Sequence, residues 1–117
     1  MKMKRNKNNK MENINTLENK KINLYIGLVT KDLIKLKKDR VLRFISNEFI
    51  KNGISGFNVN SIIGFWDNKQ EKSLIISFFN TFNLNLEVLK VIINKFKEEF
   101  KQDAILLEVL NSPFEFI

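Results

Sequence analysis

Cysteine and histidine are both missing from the 117 residues. Without cysteine the chain has no disulfide framework and no thiolate zinc site, and it suits a reducing compartment. Without histidine it lacks the commonest general base and the commonest metal ligand near neutral pH. Proline occurs once, at Pro113, and glycine only at Gly27, Gly53, Gly56 and Gly64. Long apolar runs are absent too. The stretch Leu74 to Phe79 is broken by Ser77 and falls far short of the ~20 residues of a membrane helix. At the amino terminus, basic residues are followed by the polar stretch Asn6 to Asn15, where a secretion signal would carry an apolar core. These absences lead us to expect a soluble cytoplasmic protein, without membrane contact or cofactor, in a single domain large enough to fold alone.

Charge is plentiful and uneven. The net charge is +7, and residues 1–21 hold Lys2, Lys4, Arg5, Lys7, Lys10, Lys20 and Lys21 against Glu12 and Glu18. A basic arm on a nearly neutral domain is a different object from a basic domain, and only the arm resembles an electrostatic footprint for nucleic acid. Residues 1–20 read as a flexible basic arm and 21–117 as one α+β domain. Within the arm, Met11, Ile14 and Leu17 suggest one weak helical turn around residues 11–18. Lys, Asn and Ile are favoured by AT-rich codons, a second source for the basicity.

The domain is organised around Ile22 to Val29. Ile22, Leu24, Ile26 and Leu28 alternate with Asn23, Tyr25, Gly27 and Val29, so one face of a strand is wholly aliphatic and the other still partly apolar. Such a strand belongs inside a sheet rather than at its edge. Gly27 interrupts the second face, as glycine does at a bulge or where another backbone or a ligand approaches closely. Val41, Leu42, Ile45 and Phe49 recur at helical spacing from about Lys38 to Asn52, and Asn52-Gly53 supplies the stop. Phe57 to Trp66 alternates as a second strand, Asp67 to Lys72 reads as a polar loop, and Leu74 to Phe79 as a third, doubly apolar strand closing a hairpin. Leu89, Ile92, Ile93, Phe96 and Phe100 mark a second helix capped by Asn83 or Asn85, and Asp103 to Leu110 a fourth strand ahead of Pro113. Phe114, Phe116 and Ile117 form an apolar tail with the makings of an edge pairing.

The order strand, helix, strand, strand, helix, strand is the split β-α-β-β-α-β, ferredoxin-like arrangement. Right-handed crossovers place the first and third strands at the centre of a four-stranded antiparallel sheet, with two helices on one face. The other face then exposes Tyr25, Val29, Ile75 and Phe79, a patch that calls for a partner, a second copy in a homodimer, or the arm or tail.

Leu24-Tyr25-Ile26-Gly27-Leu28, Gly56-Phe57, Gly64-Phe65-Trp66, Glu71-Lys72-Ser73 and Phe96 to Phe100 with Gln102-Asp103-Ala104-Ile105-Leu106 together resemble a family of small uncharacterised bacterial and phage domains. Some secreted members of that family carry a lipoprotein signal that this chain lacks. The resemblance implies a ferredoxin-like fold and no established activity.

Chemistry is sparse by residue type. Asp32, Asp67 and Glu71 lie near the hairpin without calcium-loop or magnesium spacing and read as solvated loop charges, so no metal is expected. Ser61, Ser73 and Ser77 have no histidine to activate them, and no catalytic residue is expected. Three binding features remain. The arm residues Lys2, Lys4, Arg5, Lys7 and Lys10 suit phosphate contacts or simple solvation. Tyr25 and Phe79 sit where RNA-recognition folds of this topology place stacking aromatics, and equally on a packing or dimer face. Trp66 beside the polar loop is an anchor for a protein partner or closes the end of the core. The expectation is a non-catalytic binding protein, a phage or mobile-element inhibitor of a bacterial defence system of the anti-CRISPR type, acting on a protein or nucleoprotein effector with RNA contact through the arm. Its alternatives are a free-standing RNA or single-strand binder, and a dimeric binder of a small nucleotide.

Overall fold

The computed structural model describes residues 17–117. The arm residues Lys2, Lys4, Arg5, Lys7 and Lys10, and most of the weak helical turn expected around 11–18, lie outside them.

Alternation along the chain produces four strands, β1 (Lys21–Gly27), β2 (Asn58–Trp66), β3 (Lys69–Phe79) and β4 (Leu106–Leu110). Helical spacing produces α1 (Lys38–Lys51) and α2 (Leu86–Glu99). The sheet is antiparallel throughout with order β2-β3-β1-β4, so the two doubly apolar strands occupy its centre, as the ferredoxin-like reading requires. Ile22, Leu24 and Ile26 of β1 and Leu74, Ile76 and Phe78 of β3 face the helices and are buried. Against them lie Val41, Ile45 and Phe49 of α1 and Leu89, Ile92 and Phe96 of α2. The Phe49 ring meets Phe57, Phe78 and Phe96 with centroids 5.1, 5.4 and 5.8 Å away, and is fully buried.

Local chemistry sets most element ends. Asn85 caps α2, its side chain accepting a hydrogen bond from the Val88 amide at 2.9 Å. Gly53, at φ +80°, takes the left-handed conformation that closes α1. By contrast, α1 begins at Lys37 with no side-chain cap.

Three boundaries differ from the sequence reading. The stretch Asp67 to Lys72 is not a loop: only Asp67 and Asn68 turn, both at positive φ (50° and 62°), and β3 starts at Lys69. Asp and Asn tolerate this region, and a two-residue turn with both φ positive matches the twist of the flanking strands, so polar residues 69–72 continue the ladder. β1 ends at Gly27, after which Val29 makes a single bridge to Lys35. β4 starts at Leu106 rather than Asp103, because Lys101 at φ 49° and the Gln102 side chain finish the turn out of α2.

Leu17 to Lys20, assigned to the arm from composition, pack onto the end of β3. Leu17 is buried in the core, and Asn80, with 0% exposure, donates from its side chain to the Leu17 and Leu84 carbonyls. Asn80 also exchanges backbone bonds with Asn19 and Lys20. The tail forms no strand; Phe114 instead lies against Phe79 at 4.5 Å.

Phe49→Ala therefore removes a ring touched from three sides and is expected to lower unfolding free energy by about 3–5 kcal/mol in chemical denaturation, whereas Phe65→Ala, at a residue 72% exposed, shifts it by less than ~0.5 kcal/mol.

Candidate functional site

The face of the sheet away from the helices carries the odd-numbered residues of β1 and β3. On it the sequence pattern Asn23-x-Tyr25-x-Gly27 meets side chains from both neighbouring strands. Pairing sets Asn23 between Ser77 of β3 and Glu108 of β4. The Ser77 hydroxyl donates to Asn23 Oδ1 at 2.6 Å, and Asn23 Nδ2 donates to Glu108 Oε1 at 2.9 Å. Tyr25 donates its hydroxyl to the same carboxylate oxygen at 3.0 Å. Asn23 and Ser77 are 7% and 9% exposed, while Tyr25 and Glu108 are half-buried. A continuous polar row thus crosses three strands on a face that also presents Ile75 and Leu106.

The row decides the charge of its members. The Asn23 amide, then the Tyr25 hydroxyl, hold the Glu108 carboxyl below its ordinary value of 4.5, with Lys21 adding a smaller pull and burial a smaller push the other way. Glu108 is therefore an anion at neutral pH, suited to holding positive charge rather than taking up a proton. The bond to Glu108, then burial, then the carboxylate charge raise the Tyr25 hydroxyl above 10.0, keeping it a donor.

A second carboxylate approaches from the opposite side of β1. Glu71 of β3 lies over Gly27, where a Cβ would stand 2.5 Å from its Oε1. The space at Gly27 is thus taken by the side chains of Glu71 and, at 3.3 Å, Gln102, and not by the bulge, second backbone or ligand that a glycine in a strand suggests. Gln102 Nε2 holds this end of β1 in place by donating to the carbonyls of Val29 (2.9 Å), Phe100 (3.2 Å) and Gly27 (3.3 Å). Tyr25 and Gly27, two residues apart, are about 6–7 Å apart on one face, so Glu108 and Glu71 flank the end of β1 from its two neighbours. Among the described residues no group of three carboxylates converges as a metal site would require.

Of the sequence-derived site residues, Tyr25 lies at this centre. Phe79 does not: it sits opposite Lys21, four residues along β1 from Tyr25, with Phe114 against its ring and the Lys21 ammonium 5.7 Å from its centroid. Trp66 is the last residue of β2, opposite Lys69 beside the turn. Residue type singles out neither Asn23 nor Glu108, and it reads Ser77 only as an unactivated hydroxyl and Glu71 only as a solvated loop charge, whereas Glu71 lies within β3. Alternation put Asn23 beside Tyr25, but only the register shows what it faces.

No protein-family model and no curated protein matches the chain. Solved structures do. The chain is similar in fold to a phage SAM lyase. With that enzyme in complex with S-methyl-5'-thioadenosine it aligns at TM-score 0.64 and 16% identity, over 77% of this chain and 78% of the other. The apo state of a phage SAM lyase aligns at TM-score 0.63 and 16% identity over 80% of both chains. A PII protein of Arabidopsis thaliana bound to citrate aligns at TM-score 0.48 and 16% identity, over 78% of this chain and 71% of that one.

Tyr25 is the sole tyrosine, so its ionisation can be followed directly at 295 nm. Titration is expected to give one transition above pH 10, and Glu108→Gln to bring it back toward 10. Because Glu108 is depressed in the folded state, its contribution to stability is present above pH 4.5 and lost as pH falls through its lowered value. Glu108→Gln should remove that part of the acid limb, checked by urea midpoints between pH 6 and 3.

Proposed function

We propose that the protein binds S-adenosylmethionine on the open sheet face and cleaves it, releasing S-methyl-5'-thioadenosine. The observation that carries this reading is the pair of carboxylates, Glu108 and Glu71, brought to the end of β1 beside Tyr25 on a partly apolar surface. A sulfonium nucleoside with an amino-acid tail has two cationic centres, and a carboxylate held ionised is the group to receive one of them. This reading differs from the dimeric small-nucleotide site expected from the sequence, since S-adenosylmethionine carries no phosphate, and the fold likeness to a phage SAM lyase supports it. The non-catalytic expectation is set aside in this reading.

The residues divide the work by their protonation. In the cleavage the carbon–sulfur bond to the amino-acid chain breaks, and its electron pair leaves sulfur as a neutral thioether. The four-carbon fragment restores its valence through its own carboxylate or by loss of a β-proton to water. Glu108, anionic and oriented by Asn23 and Tyr25, favours the sulfonium in binding. Asn23 and Ser77 are positioning residues, since they act through the Glu108 carboxylate. Ile75 and Leu106 supply apolar area for the nucleoside.

Incubation of the full chain with S-adenosylmethionine, followed by chromatography, mass spectrometry and proton NMR, is expected to yield S-methyl-5'-thioadenosine and an amino-acid fragment whose vinyl resonances, or their absence, tell alkene from lactone, two isomers of equal mass. Glu108→Gln should lower affinity for S-adenosylmethionine by about tenfold or more, the scale of one charge-assisted contact. Absence of both binding and cleavage would overturn the proposal, and binding without cleavage would make the protein a sequestering binder. Gly27→Ala displaces only the end of the flexible Glu71 side chain, so it should reduce binding while leaving stability within ~1 kcal/mol of wild type.

The anti-CRISPR and RNA-binding readings rest on the arm, Trp66, Tyr25 and Phe79. Capture of a defence nucleoprotein by a protein inert toward S-adenosylmethionine would revive them.

A further inference from the structure

On the opposite side of the same hairpin end lies a groove of about 680 Å³, between β2–β3 and the connection from β1 to α1. We propose that it is a second binding site, for a small phosphate-bearing molecule. Three lysines from separate segments line it: Lys35 of the connection, Lys38 at the first turn of α1, and Lys72 of β3. Lys38 reaches across to β2, donating from Nζ to the Ser61 hydroxyl at 2.9 Å, which places this part of the groove on the helix side of the sheet, away from Glu108. Glu71 is the one carboxylate in the lining, and its Oε1 is the atom lying over Gly27 on the other face.

The helix start contributes too. α1 opens without a side-chain cap, and its first return bond runs from the Val41 amide to the Lys37 carbonyl. Of this turn Lys38 alone lines the groove, and its amide, which precedes that bond, adds a donor at the positive end of the helix beside the first-turn Asp39. The remaining wall mixes the polar Gln70 and Ser73 with apolar area from Leu28, Leu36 and Ile63, the last 56% exposed. A wall of this kind with a few convergent polar groups, at a volume between about 300 and 1,000 Å³, is the usual make-up of a small-molecule site. Lysines act on phosphate as point charges, and three of them around a helix start match a pyrophosphate or phosphate ester better than a single carboxylate.

The test is a titration of the full chain with inorganic pyrophosphate, followed by amide resonances in ¹⁵N NMR. Saturable shifts are expected at residues 38–40, 61–63 and 72. Lys38→Ala and Lys72→Ala should each weaken binding by about tenfold, the scale of one charged hydrogen bond. Lys72→Arg should retain it. Glu108→Gln should leave pyrophosphate binding unchanged, which separates this site from the open-face one: either can fail while the other stands. Shifts that do not saturate, or that persist undiminished with both lysines replaced by alanine, overturn the proposal. So does binding of a single-stranded oligonucleotide in the absence of any pyrophosphate response, which would assign the lysines to a nucleic-acid backbone.

Discussion

Burial of one side of β1 beneath both helices is the constraint on which the remainder of the molecule depends. Ile22, Leu24 and Ile26 are fully enclosed, and removing such side chains from water contributes about 1.5–3 kcal/mol each before entropy is counted. Because side chains alternate strictly along a strand, committing these three to the core commits Asn23, Tyr25 and Gly27 to the reverse face. A one-residue slip would bury Asn23 and Tyr25 among aliphatic groups and expose the isoleucines. Register is therefore strongly specified, and with it the neighbours that Asn23 and Tyr25 meet.

The same alternation gives one strand end two chemistries. Glu71 and Lys72 are consecutive in β3. Glu71 lies over Gly27 on the open face, while Lys72 lines the groove that Lys38 and Ser61 join on the helix side. The hairpin extends past the helical layer, which is why Ile63 and Phe65 stay exposed and the groove exists. Glu71 also enters the lining of that groove, so the carboxylate and the lysines adjoin at this end of β3 while the Glu71 and Lys72 side chains leave it on opposite faces.

On the open face, polar groups that lose water must find partners. Asn23 uses both ends of its amide, accepting from Ser77 and donating to Glu108, and so remains satisfied at 7% exposure. Glu108 in turn accepts from two donors, which keeps it charged and oriented. Gln102 closes the connection beyond α2 onto the end of β1 through the Gly27 and Val29 carbonyls, so the loop beside Glu71 is tied to the sheet.

Sequence by itself determined the element order, the central place of β1 and β3, and the helical faces built on Phe49 and Phe96, because hydrophobic period and secondary structure share the same geometry. It also placed Tyr25 on the open face, and it read Gly27 as a bulge or a point of approach for another backbone or a ligand, where side chains close in instead. It misjudged Asp67 to Lys72, since polar residues continuing a ladder after a two-residue turn look like a loop when only hydropathy is read. Tertiary structure alone decided that Glu108 stands beside Asn23 and Tyr25, 85 and 83 positions away in sequence, that Glu71 fills the space left by Gly27, and that Phe79 is covered by Phe114. Those facts depend on strand register and on chain crossings between remote segments, and an alternating pattern says which face a residue takes but not what comes to meet it there.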